Sequence, residues 1–325
     1  MYYLCQNMKY SIHLLLIQYF AICLLANPVF AMETTGGRGT SESELHETGD
    51  KGITVNHARL KVMTFNIRWQ GRSDGKYFDS GFANRKPLVL DVLTQFSADV
   101  IGLQEASIEQ RAAIAPDLSG FGMFPLPTEA GDECILYRLS RFDLKDSGRV
   151  FLRRKPEKPG TNIGVRYLVW VYLHDRFSDK GFYVVNLHTD HRSSERGRQL
   201  DGVLIGEWIK NREFSDPVIL TGDFNGTPER PRYLYLTGQM AYPGEDGNTV
   251  RMPMPMLDTF TVANPDALYP GTSNSRYRGK KNKTQIDYIF APRGTTVIGS
   301  RIIYYHVNGS YPSDHFPLIS EVELK

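Results

Sequence analysis

Eight polar residues in this sequence stand at the ends of apolar runs, and their types suit hydrolytic chemistry. Val62-Met63-Thr64-Phe65 leads into Asn66, Val100-Ile101-Gly102-Leu103-Gln104 into Glu105, and Tyr183-Val184-Val185-Asn186-Leu187 into His188. Pro217-Val218-Ile219-Leu220-Thr221-Gly222 leads into Asp223, with Asn225 two residues on. Gln285-Ile286 leads to Asp287, and Tyr311-Pro312-Ser313 to Asp314 and His315. A carboxylate after a single strand is ordinarily a helix cap or a turn residue. Six run ends that each deliver Asn, Asp, Glu or His ask for a common cause. If those ends converge, they form a pocket with up to four carboxylates, two amides and two imidazoles. Oxygen-rich ligation without a Cys/His zinc spacing favours a hard cation, Mg²⁺ or Mn²⁺. Such an ion bridges to a phosphate and neutralises charge building on a leaving oxygen.

The elements that must position these residues are legible as alternating strands and helices. Leu60 to Ile67, Ala98 to Leu103, Val165 to Leu173, Tyr183 to Leu187 and Val218 to Thr221 read as strands, the last four of the short, buried kind. Thr284 to Phe290, Val297 to His306 and Leu318 to Leu324 complete the chain as strands. Arg85 to Phe96 places Leu88, Val89, Val92, Leu93 and Phe96 on one helical face, and Arg196 to Lys210 is a second amphipathic helix. This order predicts packed sheets covered outside by helices.

Composition narrows the class. Hydrophobic residues make up 41% and charged residues 23% of the 325, the balance of a globular protein whose core needs no staple. The formal net charge is +2, which does not describe a chain coated for polyanions. Lys9 precedes an apolar run from Ile12 to Ala26, and a small residue, Ala31, follows Asn27-Pro28-Val29-Phe30. Residues 1–31 therefore read as a secretory signal peptide cleaved after Ala31, with export to a periplasm or the medium and no stable membrane span thereafter. An uncleaved anchor is the competing reading. Residues 32–58 are polar and Gly-rich, a linker, and 59–325 form one domain, expected to be a monomer. Removal of the signal leaves Cys134 alone, so no internal disulfide is expected, and its apolar neighbours make it a packing residue.

Taken together, Thr64-Phe-Asn-Ile-Arg68, Gly102-Leu-Gln-Glu105, Asn186-Leu-His188, Gly222-Asp-Phe-Asn225, Ile286-Asp-Tyr-Ile289 and Ser313-Asp-His315 resemble the ordered motifs of the endonuclease/exonuclease/phosphatase superfamily, the deoxyribonuclease I-like metal-dependent phosphoesterases. The stretch Asn84-Arg85-Lys86 and an Asp146-Ser147-Gly148 turn also resemble its bacterial members. The resemblance implies a four-layer α/β sandwich, two packed mixed β-sheets flanked by helices, and hydrolysis of phosphate esters by metal-assisted in-line attack of water. It further implies roles. Glu105 is the principal metal ligand, with Asn66 and Asp314 beside it. Asp223 aligns or deprotonates the attacking water, and Asn225 donates to phosphoryl oxygens or holds that water. His315, oriented by Asp287, contacts the phosphate, and His188 is the second imidazole facing it.

Some assignments stay open at this level. Arg68 and Arg166 serve equally as phosphate contacts or as partners of buried carboxylates. Asp190 and His191 are either substrate-facing or solvated, while Trp69, Trp170 and Trp208 read as packing residues, as do His174 and His306. Two further functions compete with a phosphatase-like hydrolase. Arg276, Arg278, Lys280, Lys281 and Lys283 form a basic loop that suits a secreted endonuclease or exonuclease on nucleic acid. A non-catalytic exported binding protein would retain the pocket without turnover.

Overall fold

The structure, a computed structural model, describes residues 57–71, 80–153, 166–243, 248–267, 271–280 and 284–325. The expected signal peptide, the linker up to residue 56, and Lys281 and Lys283 of the basic loop lie outside the described residues. The chain from Thr54 to Lys325 is one compact unit.

Its elements in order are β1 (Ala58–Asn66), α1 (Phe82–Gln95), β2 (Val100–Gln104), α2 (Ile108–Ile114), β3 (Phe121–Phe124), β4 (Cys134–Arg138), β5 (Phe142–Arg153), β6 (Arg166–Asp175) and β7 (Lys180–His188). They continue as α3 (Glu195–Lys210), β8 (Val218–Asp223), α4 (Pro231–Leu236), β9 (Tyr242–Pro243), β10 (Thr249–Val250), β11 (Met256–Asp258), α5 (Thr259–Ala263), β12 (Asp287–Pro292), β13 (Thr296–Ile302) and β14 (Leu318–Leu324).

Two mixed six-stranded sheets result, ordered β13-β14-β1-β2-β4-β3 and β11-β12-β8-β7-β6-β5. Each contains a single parallel pair near its centre, β1 with β2 and β7 with β8, and each pair is joined through a helix, α1 or α3. Parallel neighbours require such a crossover, and their carboxyl ends are where α/β sheets place ligands. The antiparallel neighbours β14 and β12 begin where β1 and β8 end. One pole of the sandwich thus collects four strand ends and two strand starts, the six places where the polar residues lie.

Apolar residues fill three layers. Val62, Val100, Ile135, Val171, Val184, Ile219 and Leu318 are among those packed between the sheets. Met63, Phe65, Val89, Val92, Leu93, Ile101 and Leu103 are among those lying between the first sheet and α1. Tyr183, Val185, Ile205, Ile209, Leu220 and Tyr235 are among those lying between the second sheet and α3 with α4. Alternation along β1 and β2 therefore serves two apolar faces, the pattern of a sheet covered on both sides. The four-layer sandwich expected from the sequence is what the chain forms.

The differences in detail have local causes. α1 begins at Phe82 rather than Arg85 because Phe82 and Arg85 both turn inward and bury. β1 starts at Ala58, inside the expected linker, since Ala58 pairs with Leu324. β12 starts at Asp287, and residues 284–286 run outside it as irregular backbone. β13 ends at Ile302, short of the expected His306. Asp146-Ser147-Gly148 is not a turn but part of the long edge strand β5, at a register shift between Leu144 and Asp146. Among the described residues no helix is long and apolar enough to cross a membrane.

Where the sheets meet below the pole, the layer between them is polar. Gln104 Nε2 donates to Asn186 Oδ1 at 2.6 Å and to Thr64 Oγ1 at 3.0 Å, and Thr221 Oγ1 donates to Asn186 Oδ1 at 3.1 Å. Asn186 Nδ2 returns to the carbonyls of Leu103 and Cys134, stitching the second sheet to the first. Gly102 makes the close approach possible, because a Cβ there would collide with Thr221 Oγ1 and the Asn186 carboxamide. Gly102→Ala is expected to lose about 1–3 kcal/mol of stability, the usual effect of overpacking, read by urea denaturation. An unchanged midpoint would show that the network is not close-packed.

Candidate active site

At the pole, the end of β1 and the end of β8 meet through Asn66. Its Nδ2 donates to Asp223 Oδ2 at 3.1 Å and to Glu105 Oε1 at 3.3 Å, and its Oδ1 accepts the Arg68 N–H at 3.0 Å. Both ends of the carboxamide are set by these neighbours, since carboxylates need a donor and an N–H needs an acceptor. Asn66 is therefore a donor to two carboxylates at the point where the sequence reading placed a metal ligand.

Glu105 follows β2 in a left-handed conformation, φ 55°, which L-residues rarely adopt. Arg68 (φ 62°) and Asn225 (φ 44°) share it. Backbone strain of this kind concentrates at functional sites. The Glu105 carboxylate accepts the Trp69 N–H at 2.8 Å and lies 3.4 Å from Arg68 Nη1. Burial works to raise its pKa, but the charges of His188 and Arg68, the Trp69 N–H and His315 together hold it down at about 2.

Both imidazoles approach the same oxygen of Asp223. His188 Nε2 is 3.4 Å and His315 Nε2 is 3.8 Å from Asp223 Oδ2, while Asp223 Oδ1 accepts the Asn225 N–H at 2.9 Å. Asn225 Nδ2 also lies 2.9 Å from His188 Nε2 and donates to the Thr189 carbonyl at 2.8 Å. On its far side His315 Nδ1 contacts Asp287 Oδ2 at 2.9 Å. Strand register brings this about, since Asp287 of β12 stands directly opposite Asp223 of β8.

The surroundings drive the two histidines apart. Burial lowers the His188 pKa, with Asp223 and Glu105 opposing it only in part. Burial also works against the charge on His315, yet Asp287, Asp223 and Asp314 raise it well above the ordinary value. Burial and the neighbouring Asp287 raise Asp223, against the pull of both imidazoles. At neutral pH one imidazole is neutral and the other charged, an arrangement that divides acid from base.

A hard divalent cation fits one part of this site better than another. Ligand atoms of Asp223, Asp287 and His315 lie within 4.8 Å of one another. However, Asp287 Oδ2 and His315 Nδ1 are already joined by their own hydrogen bond. Glu105 and Asp314 instead converge on a single cationic group, the Arg68 guanidinium, at 3.4 Å and 4.0 Å. Two carboxylates drawn to one point of positive charge are the donor set a Mg²⁺ or Mn²⁺ ion takes.

Other residues resolve as follows. Arg68 is a carboxylate partner in this structure. The charge of Arg166 is felt by His188, Glu133 and Asp132 beside the site. Asp190 is buried and accepts the Arg192 N–H at 2.9 Å, whereas His191 faces solvent. Trp170 and Trp208 pack together at 5.7 Å, but Trp69, read as a packing residue, is 48% exposed beside Glu105. Burial pushes the Cys134 thiol up to about 12, which makes it inert. His174 contacts Asp179, and the His306 ring lies tilted against Tyr311 at 5.3 Å.

Gln110 escaped the sequence reading. It closes a capping box with Ser107 at the start of α2, and its Nε2 holds the Arg68 carbonyl at 2.9 Å. The Ser107-Ile-Glu-Gln110 spacing is the signal that would have found it. The basic loop reaches the rim of the site. Ser273 bridges His315, and Asn274 N–H donates to the Asp314 carbonyl at 2.9 Å, leaving Arg276, Arg278 and Lys280 exposed just beyond.

Solved structures share this architecture. An endonuclease/exonuclease/phosphatase family protein from Bacteroides thetaiotaomicron superposes with a TM-score of 0.67 at 23% identity, over 83% of this chain and 99% of that one. A mannosyl-6-phosphatase from the same organism gives 0.67 at 24% identity, over 81% and 99%. ANGEL2, a 2',3'-cyclic phosphatase, in complex with adenosine-2',3'-vanadate, gives 0.64 at 17% identity, over 83% and 97%. No match was found among curated protein sequences. The profile described as Endonuclease/Exonuclease/phosphatase family spans residues 63–315, from within β1 to His315 and so across all six polar strand ends. On that match, and on the fold that carries it, the chain belongs to the endonuclease/exonuclease/phosphatase family.

Proposed function

We propose that the protein is an exported, divalent-metal-dependent hydrolase of phosphate esters. The observation that carries this reading is the Asp223 carboxylate approached by two imidazoles of opposite pKa shift, with Glu105 and Asp314 converging nearby. Glu105 and Asp314 would hold a divalent cation, which would supply charge neutralisation at the phosphate. Asp223, its pKa raised by burial and Asp287, accepts the proton of the attacking water. Asn66 orients Asp223 and Glu105 by donating to both. Asn225 and neutral His188 face the same water or the phosphoryl oxygens, and charged His315, steadied by Asp287, donates to the phosphate.

The pH profile tests the paired histidine. Charged His315 is the active form, so kcat/KM falls as pH rises through its folded pKa, which Asp287 holds well above 6.5. In Asp287→Asn the burial that lowers this pKa is no longer offset by that carboxylate. Activity near pH 7.5 is then expected to drop about 10²-fold and to recover partly in acid. A variant whose alkaline limb stays in place would remove His315 from the mechanism.

The substrate is best sought among small phosphate esters, including hexose 6-phosphates and 2',3'-cyclic nucleotides, the chemistries named for structural relatives. Phosphate release from such a panel, with Mg²⁺ or Mn²⁺ and with chelator, tests the hydrolase directly. Binding without turnover across the panel would favour the non-catalytic alternative. The exposed Arg276, Arg278 and Lys280 beside the Asp314–His315 segment favour a second reading, a nuclease. Nicking of supercoiled plasmid by the wild type but not by His315→Ala, falling steeply with salt, would put that reading first. Export predicts a mature N-terminus at Met32, readable as the intact mass of the secreted protein.

A further inference from the structure

The three left-handed residues of the site, Arg68, Glu105 and Asn225, have one feature in common beyond their φ angles. Beside Arg68 and Asn225 the carbonyl of the preceding residue, and just past Glu105 the carbonyl of Ala106, is gripped by a buried arginine that comes from a helix outside the sheets. From α1, Arg85 donates through Nη1 to the Ile67 carbonyl at 2.7 Å and the Pro312 carbonyl at 2.9 Å, and through Nη2 to the Arg68 carbonyl at 3.2 Å. From α2, Arg111 donates to the Ala106 carbonyl at 2.9 Å and to the Gly131 carbonyl. From α4, Arg232 donates through Nη1 to Thr189 Oγ1 at 2.6 Å and to the Phe224 carbonyl, and through Nη2 to Asp201 of α3 at 2.7 Å. All three are at most 2% exposed.

A buried guanidinium is tolerated only when its donors are satisfied, and its planar fork fixes the directions of the acceptors it meets. A carbonyl held in this way cannot rotate freely with its peptide, so Arg85 and Arg232 fix the peptides that lead into Arg68 and Asn225, while Arg111 braces the segment that follows Glu105. Arg232 shows the consequence most directly. Thr189 follows His188, and Phe224 lies between Asp223 and Asn225. The two segments are also tied to each other, since the Thr189 N–H donates to the Asp223 carbonyl at 3.0 Å. One guanidinium therefore spans both strand ends that carry His188, Asp223 and Asn225.

We infer that Arg85 and Arg232 are positioning residues that lock the left-handed strand ends at Arg68 and Asn225, on which active-site side chains stand, and that Arg111 braces the segment just after Glu105. The inference rests on the proposed hydrolase but has its own readout. In the full chain, Arg232→Lys keeps the charge near Asp201 but cannot reach Thr189 and Phe224 together. It is expected to lower kcat about 100-fold, the scale of an ångström of misplacement, with KM little changed. The ¹⁵N signals of the His188 ring are expected to shift as well. Asp201→Asn breaks the buried ion pair and leaves the guanidinium on Thr189 and Phe224. It is expected to lower the melting temperature while kcat and the His188 signals stay near wild type.

Equal losses of kcat in the two variants, or unmoved His188 signals in Arg232→Lys, would overturn the inference and leave Arg232 a purely structural ion pair. If Arg232→Lys does not fold, Thr189→Val removes the hydroxyl acceptor alone and must shift the same His188 signals. A wild type that hydrolyses no phosphate ester defeats the hydrolase proposal, while the ring signals still decide the role of Arg232.

Discussion

Asp223→Asn is expected to reduce kcat by about 10²–10⁴-fold, the usual contribution of a general base, while KM stays within a few-fold. The substitution keeps the side-chain volume at a position only 1% exposed, so packing is preserved. It removes the one carboxylate that touches Asn66, the Asn225 N–H and both imidazoles. Stability should move the other way. The folded-state pKa of Asp223 is raised above its unfolded value, so the folded protein binds more protons between those two values. Stability therefore declines as pH rises through that window, and the ionised group is a net burden on the fold. Neutralising it is expected to leave the melting temperature unchanged or higher as activity collapses. Such a trade of stability for activity marks a functional carboxylate. A variant with near wild-type kcat, or one that loses activity only in step with a lowered melting temperature, would count against Asp223 as the base.

Metal removal should have an equally large effect. Treatment with chelator is expected to bring hydrolysis to background, and added Mg²⁺ or Mn²⁺ to restore it. Without the cation, the charge developing on the phosphate oxygens at the Glu105–Asp314 side has no counterpart. Glu105→Gln should then raise the metal concentration for half-activation by at least the ~10–100-fold that loss of an outer-shell partner brings. Because the Glu105 carboxyl titrates at about 2, it is ionised throughout the neutral range. The metal requirement of the wild type should accordingly not change between pH 6 and 8 on its account. Full activity in chelator, or a Glu105→Gln enzyme with an unaltered metal requirement, would refute the assignment of this carboxylate.

Much of this architecture is written locally. Apolar alternation over Leu60 to Ile67 and the uninterrupted run Val218 to Thr221 specify strands because side chains repeat every two residues and one or both faces must bury. The face made by Val89, Val92 and Leu93 specifies a helix in the same way. The placing of Asn66, Glu105, His188 and Asp223 after such runs was enough to nominate them, since polar residues that end buried strands must come out at the edge of the sheet. Weaker patterns were missed. The short β11, and α2 and α4 with seven and six residues, have too few turns or alternations to show a period.

Only the tertiary structure decided what each nominated residue does. Asn66, read as a ligand, also donates to Asp223, a partner that lies 157 residues away across the sandwich. His188 and His315 look alike in the sequence, yet one is pushed toward the neutral form and the other toward the charged form. Asp287, brought into contact with His315 by its pairing with Asp223, makes that difference. Arg85 reaches the Pro312 carbonyl 227 residues on, a contact that its place in Asn84-Arg85-Lys86 does not reveal. Periodicity and turn chemistry are properties of neighbours along the chain and so can be read from it. Desolvation, charge pairing and the direction of a hydrogen bond belong to groups that become neighbours only on folding, so for these residues the sequence named the candidates and the packing of the two sheets assigned their chemistry.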